Sequence, residues 1–121
     1  MRLVIAGSRT LLIEPAFIEM AVRFLGISMD DIEEVVCGGA QGVDWTAEEF
    51  CIEYFNKEAK VFNADWSQGV SAGPARNRKM ADYGDELLLI WDGKSHGSAN
   101  MKIEMMRLKK PIHEVIMRAH V

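Results

Sequence analysis

The 121-residue chain is poor in the features that mark special environments. It has two cysteines, Cys37 and Cys51, in no metal-ligand or redox spacing, and they read as the reduced, mostly buried thiols of a cytoplasmic protein. Three histidines, His96, His113 and His120, have no ligand partners at useful spacing, so neither a metal nor a cofactor is expected. No apolar run approaches the roughly 20 residues of a membrane span, the first being only Leu3 to Ala6, and no membrane partner is expected. Positive charge is not in excess: 14 Lys+Arg against 18 Asp+Glu give a net −4, which argues against wrapping nucleic acid on a basic surface. Repeats, linkers and low-complexity segments are lacking. What remains is ordinary globular composition, 49% hydrophobic and 26% charged, with chain enough for one domain over residues 1–121.

Periodicity organises that domain. Arg2–Ala6 is a short apolar strand running into Gly7-Ser8-Arg9. Phe17, Ala21, Phe24 and Leu25 mark one face of a helix, with Pro15 at its start and Gly26 at its stop. Glu33–Cys37 is a second strand that enters Gly38-Gly39-Ala40-Gln41-Gly42-Val43-Asp44. A helix follows with Ala47, Phe50, Cys51 and Tyr54 on its inner face. Lys60–Phe62 is a brief strand, and Pro74 opens a helix to about Tyr83. Glu86–Trp91, the most apolar strand, belongs in the middle of a sheet covered on both faces. The last helix runs from Ser98 to Lys110, with Met101, Met105 and Leu108 on one face and basic residues in its final turn, before a strand from Ile112 to Met117. Alternating strands and helices with short connections require an α/β fold: a single Rossmann-like doubly wound sheet of about five parallel strands flanked by helices.

In such a sheet, ligands bind beyond the carboxyl ends of the strands. The four segments there, Gly7–Arg9, Gly38–Asp44, Ala72–Lys79 and Trp91–Ser98, hold seven of the ten glycines. Their basic residues, Arg9, Arg76, Arg78, Lys79 and Lys94, outnumber Asp44 and Asp92, giving a local balance of +3 against −7 for the rest of the chain. An electropositive mouth on an acidic body suits a small phosphate-bearing ligand. Gly38, Gly39 and Gly42 permit a tight turn between strand and helix, where free N–H groups can meet phosphate oxygens. GGxxGxD is not the dinucleotide fingerprint GxGxxG, and a plain tight turn is the competing reading. Gly97-Ser98 opens the last helix, where the hydroxyl serves as helix cap or phosphate ligand. Arg76 and Lys79 share a helical face, whereas Arg78 points elsewhere. Asp44 or Asn77 suits a ribose, or Asp44 merely caps its helix. Any of Trp45, Trp66 and Trp91 is a candidate to stack on a base, and His96 reads as a bystander. The ligand-binding set is thus Gly7, Ser8, Arg9, Gly38, Gly39, Ala40, Gln41, Gly42, Asp44, Arg76, Asn77, Arg78, Lys79, Trp91, Asp92, Gly93, Gly97 and Ser98.

The series Ala6-Gly7-Ser8-Arg9, Cys37 to Asp44, Ala64-Asp65-Trp66, Gly73-Pro74-Ala75-Arg76-Asn77-Arg78-Lys79-Met80-Ala81 and Trp91 to Ser98 resembles the YspA/YpsA-related branch of the SLOG superfamily. That superfamily unites Smf/DprA DNA-processing proteins with LONELY GUY phosphoribohydrolases, and the resemblance covers nearly the whole chain. It implies binding or sensing of a nucleotide or nucleotide-derived ligand, ADP-ribose-like or a nucleoside phosphate. Gly38–Asp44 looks like the first phosphate loop, and Trp91–Ser98 like the second, which reads PGGxGTxxE in the phosphoribohydrolases. Arg78-Lys79 looks like the pair that supplies their catalytic arginine, so Arg78 is the catalytic residue if the chain is an enzyme. The catalytic glutamate position, however, is Met101, with Glu104 one turn further on as the nearest carboxylate. Non-catalytic binding is therefore favoured over hydrolysis of an N-glycosidic bond, and single-stranded DNA binding is a third option. SLOG relatives often pair, and the broad apolar surface of Met101, Ile103, Met105, Met106 and Leu108 suggests a homodimer.

Overall fold

The computed structural model describes residues 1–118; His120, noted above, lies outside the described residues. Five parallel strands form one sheet: β1 (Arg2–Gly7), β2 (Glu34–Cys37), β3 (Lys60–Val61), β4 (Glu86–Trp91) and β5 (Ile112–Ile116), in the order β3-β2-β1-β4-β5. Four helices connect them: α1 (Pro15–Phe24), α2 (Val43–Phe55), α3 (Ala72–Tyr83) and α4 (His96–Arg107). The expected Rossmann-like α/β architecture is observed.

Alternation along the strands divides the core in two. Leu3 and Ile5 of β1, with Val35, Cys37, Leu88 and Ile90, pack against Ile18, Val22, Ala47 and Phe50 from α1 and α2. Val4 and Ala6, with Val36, Leu87 and Leu89, face Met80, Ala81, Met101 and Met105 from α3 and α4. Successive side chains point to opposite faces, so a strand covered on both sides needs an unbroken apolar run, and β4 supplies one. Its residues Leu87 to Ile90 are fully buried.

Three expectations change in detail. The buried face of α1 is centred on Ile18, Ala21 and Val22; Phe24, which its spacing assigned to the core, is 88% exposed. Between β3 and α3 a 3₁₀ segment (Trp66–Ser71), kinked at Gly69 where φ is 76°, leads into α3 at Ala72, two residues before Pro74. Helix α4 starts at His96, because Asp92 Oδ1 accepts the N–H groups of Lys94 and Ser95 at 2.8 and 2.9 Å and folds the chain into its first turn. The basic end of α4 also serves a neighbour. Lys109 adopts a left-handed conformation, φ 56°, and turns the chain back. Lys110 Nζ then donates to the carbonyls of Ala81, Asp82 and Gly84, at the C-terminal end of α3. Of the apolar surface assigned to α4, Met101 and Met105 are core, while Ile103 and Met106 are each 59% exposed.

Candidate functional site at the reversal of strand order

From β1 the chain moves outward through β2 to β3, then returns to place β4 on the other side of β1. The loops leaving β1 and β4 therefore diverge to opposite faces and leave a crevice between them. A cavity of about 430 Å³ occupies this crevice. Gly7, Ser8 and Arg9 reach it from β1, Ala40 and Asp44 from the β2–α2 connection, Arg76 and Asn77 from α3, and Asp92, Gly97 and Ser98 from the β4–α4 connection. A second cleft of about 580 Å³ adjoins it, lined by Gly38, Gly39 and Gln41, and shares Arg9, Ala40 and Arg76 with the first.

Ser8 is a joint. Its N–H donates to the Ile90 carbonyl, its own carbonyl accepts from Val43 N–H, and its hydroxyl accepts from Asp92 N–H at 3.0 Å and meets the Ser95 hydroxyl at 3.3 Å. One residue, 1% exposed, thus ties the ends of β1 and β4 to the start of α2 through its backbone and to the start of α4 through its hydroxyl. The glycines nearby are crowded by protein. A Cβ on Gly7 would lie 1.8 Å from the Ile90 carbonyl oxygen, and one on Gly42, at φ 71°, would lie 2.5 Å from the Ser8 carbonyl oxygen. Gly42 lines neither cleft; its lack of a side chain lets α2 start against the loop after β1.

Arg76 crosses from α3 to the β2–α2 loop. Its Nη1 donates to the Gly38 carbonyl at 2.6 Å and its Nε to Asn77 Oδ1 at 2.9 Å. Asn77 in turn donates both amide hydrogens, to Gly97 O at 3.2 Å and Asn100 Oδ1 at 2.9 Å. Asn77 is therefore a brace that aims Arg76 and ties α3 to α4, and the amide has no donor left for a ribose. Burial lowers the Arg76 pKa, Asp44 opposes that shift, and the nearby charge of Arg9 adds to it. Asp44 Oδ2 accepts from Ala40 N–H at 3.2 Å. Burial raises its pKa to about 6, while the Ala40 N–H and the Arg76 charge pull it down.

The N-terminus of α4 is differently equipped. Its first turn contains no acidic residue, and Ser95 at the cap makes no side-chain capping bond. His96, Gly97 and Ser98, whose N–H groups precede the first intrahelical donor (Ala99 N–H to Ser95 O), all line the cavity. Ser98 Oγ is buried with no hydrogen-bond partner, alone in this among the described residues. An orphaned buried hydroxyl costs about 1–3 kcal/mol, so the position is unfavourable without a ligand.

Several expected residues lie elsewhere. Arg78 lines neither cleft: it pairs at 3.6 Å with Glu104, which also holds Arg107 at 3.0 Å, on the seam between α3 and α4. The spare carboxylate and the candidate catalytic arginine thus engage each other, while Met101 lines the cavity. Lys79 shares with Arg76 only a small pocket of about 90 Å³ near Asp65. Trp91 is core, 7% exposed, and its Nε1 donates to Glu114 at 2.7 Å, which removes it from stacking. Gly93, at φ 80°, shapes the turn after β4. Thr10, Ser95 and Asn63 line the clefts without having been singled out, and His96, read above as a bystander, lines the first. Ser95 alone carried a signal, as a hydroxyl residue just before a helix.

No family model matches the chain, and no curated protein matches it.

Proposed function

We propose that the chain binds a nucleotide or nucleotide-derived ligand, with a phosphate group held at the N-terminus of α4 and facing Arg76. The observation that carries this reading is the buried, partnerless hydroxyl of Ser98 beside three helix-start N–H groups in a cavity whose other wall presents a guanidinium. Helix N-termini favour anions through free N–H groups and the helix dipole, and a phosphate oxygen would satisfy Ser98. Membership of the SLOG superfamily and a cytoplasmic location belong to the same proposal, resting on the ordered motifs and on two buried free cysteines. So does a homodimer joined through the exposed Ile103 and Met106 of α4, to be read as twice the chain mass in light scattering.

A phosphoribohydrolase activity has less support. The two groups it would draw on, Arg78 and Glu104, are paired with each other outside the cavity. Single-stranded DNA binding needs many neutralised phosphates, and the net charge of −4 offers no extended track for them.

Calorimetry with ADP-ribose, NAD and mononucleotides tests the binding reading. At least one should bind below millimolar, and Arg76→Ala should weaken it about tenfold or more, as loss of a charge-assisted contact predicts. Ser98→Ala should weaken binding while leaving the free protein no less stable, since it removes an orphaned hydroxyl. If no member of the panel binds below about millimolar, the proposal is wrong.

A further inference from the structure

Two large aromatic side chains near the site lie outside the core and keep about half of their surface exposed. Trp45, on the first turn of α2, is 52% exposed, and Trp66, which opens the 3₁₀ turn before α3, is 56% exposed. Both line the second cleft, together with the polar side chains of Gln41 and Asn63. An indole left half exposed forgoes part of the roughly 1.5–3 kcal/mol that full burial of a large apolar side chain contributes. Two such residues from separate elements, lining one cleft together with amide side chains, suit a planar, hydrogen-bonding partner.

The cleft is joined to the inner cavity by cations. Arg9 and Arg76 line both spaces. The Arg9 guanidinium lies 5.9 Å from the Trp66 ring centroid and engages no carboxylate within 4 Å among the described residues. The charge on Arg9 also bears unfavourably on Arg76. An anion between the two guanidiniums would relieve that repulsion. Three environments therefore follow one another: an aromatic and amide cleft, a pair of arginines, and an inner cavity with the α4 N-terminus, Ser98 and the Asp44 carboxyl.

We propose that the ligand is a two-part nucleotide, with its base against Trp45 and Trp66, a phosphate between Arg9 and Arg76, and a second phosphorylated sugar unit in the inner cavity. This rests on the phosphate-binding reading above and narrows it to the class of nucleoside diphosphates that carry a further sugar. A mononucleotide would fill the cleft and the junction and leave Ser98 orphaned. A sugar phosphate would fill only the inner cavity.

Three probes separate these occupancies by calorimetry on the full chain: ADP-ribose, AMP and ribose 5-phosphate. ADP-ribose should bind at least about tenfold tighter than either fragment. Trp45→Ala and Trp66→Ala should each weaken ADP-ribose and AMP by about fivefold or more, the low end for loss of a base-stacking surface. Ribose 5-phosphate, which does not reach the tryptophans, should bind both variants as it binds the wild type. Neither side chain belongs to the core, so the variants retain it; an unchanged melting temperature verifies this. Equal affinity for AMP and ADP-ribose, or tryptophan variants that bind AMP as the wild type does, overturns the two-part arrangement and leaves the phosphate site standing. Failure of all three probes to bind overturns the underlying reading instead.

Discussion

Asp44 governs the charge of the cavity at the scale of a single residue. Burial raises its carboxyl from the ordinary 3.8 to about 6, against the pull of the Ala40 N–H and Arg76. Between those values the native state holds a proton that the unfolded chain has lost. Stability is therefore highest below about pH 4 on account of this group, and falls as pH rises through 6. The shift corresponds to about 3 kcal/mol. Asp44→Asn should abolish that slope and raise the melting temperature at pH 7. Denaturant titrations at pH 4 to 7 would show it, and identical pH profiles for variant and wild type would refute it. Cys37, beneath the same loop, is pushed up to about 12 by burial and by Asp44, and so is no nucleophile at neutral pH. Residue identity alone did not disclose these roles. Arg76, Arg78 and Lys79 look equivalent in the sequence. Their fates are set by Gly38, Glu104 and the pocket near Asp65, partners that lie far along the chain.

Among the elements, the glycine-rich connections separate into two kinds. Gly7 closes β1 against β4, its missing Cβ occupied by the Ile90 carbonyl, whereas Gly97 in the first turn of α4 has open space around it. Gly7→Ala should cost at least about 3 kcal/mol, lowering the melting temperature by about 10 °C or preventing folding. Gly97→Ala should leave stability unchanged or slightly higher, by up to about 1 kcal/mol, and weaken phosphate binding by narrowing the cavity. Comparable melting temperatures for the two variants would contradict this division. Strand and helix identities were legible because apolar periodicity reports burial directly, and the runs Leu3–Ala6 and Leu87–Ile90 are as buried as they look. Boundaries were less so. The start of α4 is set by the Asp92 carboxylate and the 3₁₀ turn by Asp65 accepting from Ser67, local polar contacts with no periodic trace. The outward turn of Phe24 likewise follows from how α1 lies on the sheet, with Ile18 and Val22 beneath it.

At the scale of the whole molecule, the sheet separates the two halves of the core, and the cavity opens where β1 and β4 adjoin. That pairing joins Leu3 to Glu86 and Gly7 to Ile90, the two ends of a long stretch of chain. Contacts so distant in sequence reward the chain only after the loop between them closes, so the β1–β4 pairing is expected to form late on the route to the native state. Before it forms, Arg9 and Ser98 belong to segments that have not met. A ligand therefore has nothing to hold during the climb to the folding barrier and everything to hold once the barrier is crossed. Ligand at about 100 times its dissociation constant should add about 2.7 kcal/mol to stability, and this gain should appear in the unfolding arm of the chevron, with the folding arm unmoved. A ligand that accelerated folding would place the pairing earlier. With the pairing late, the molecule should act as a latch: a ligand at the proposed site would set how long the fold lasts without changing how fast it is made.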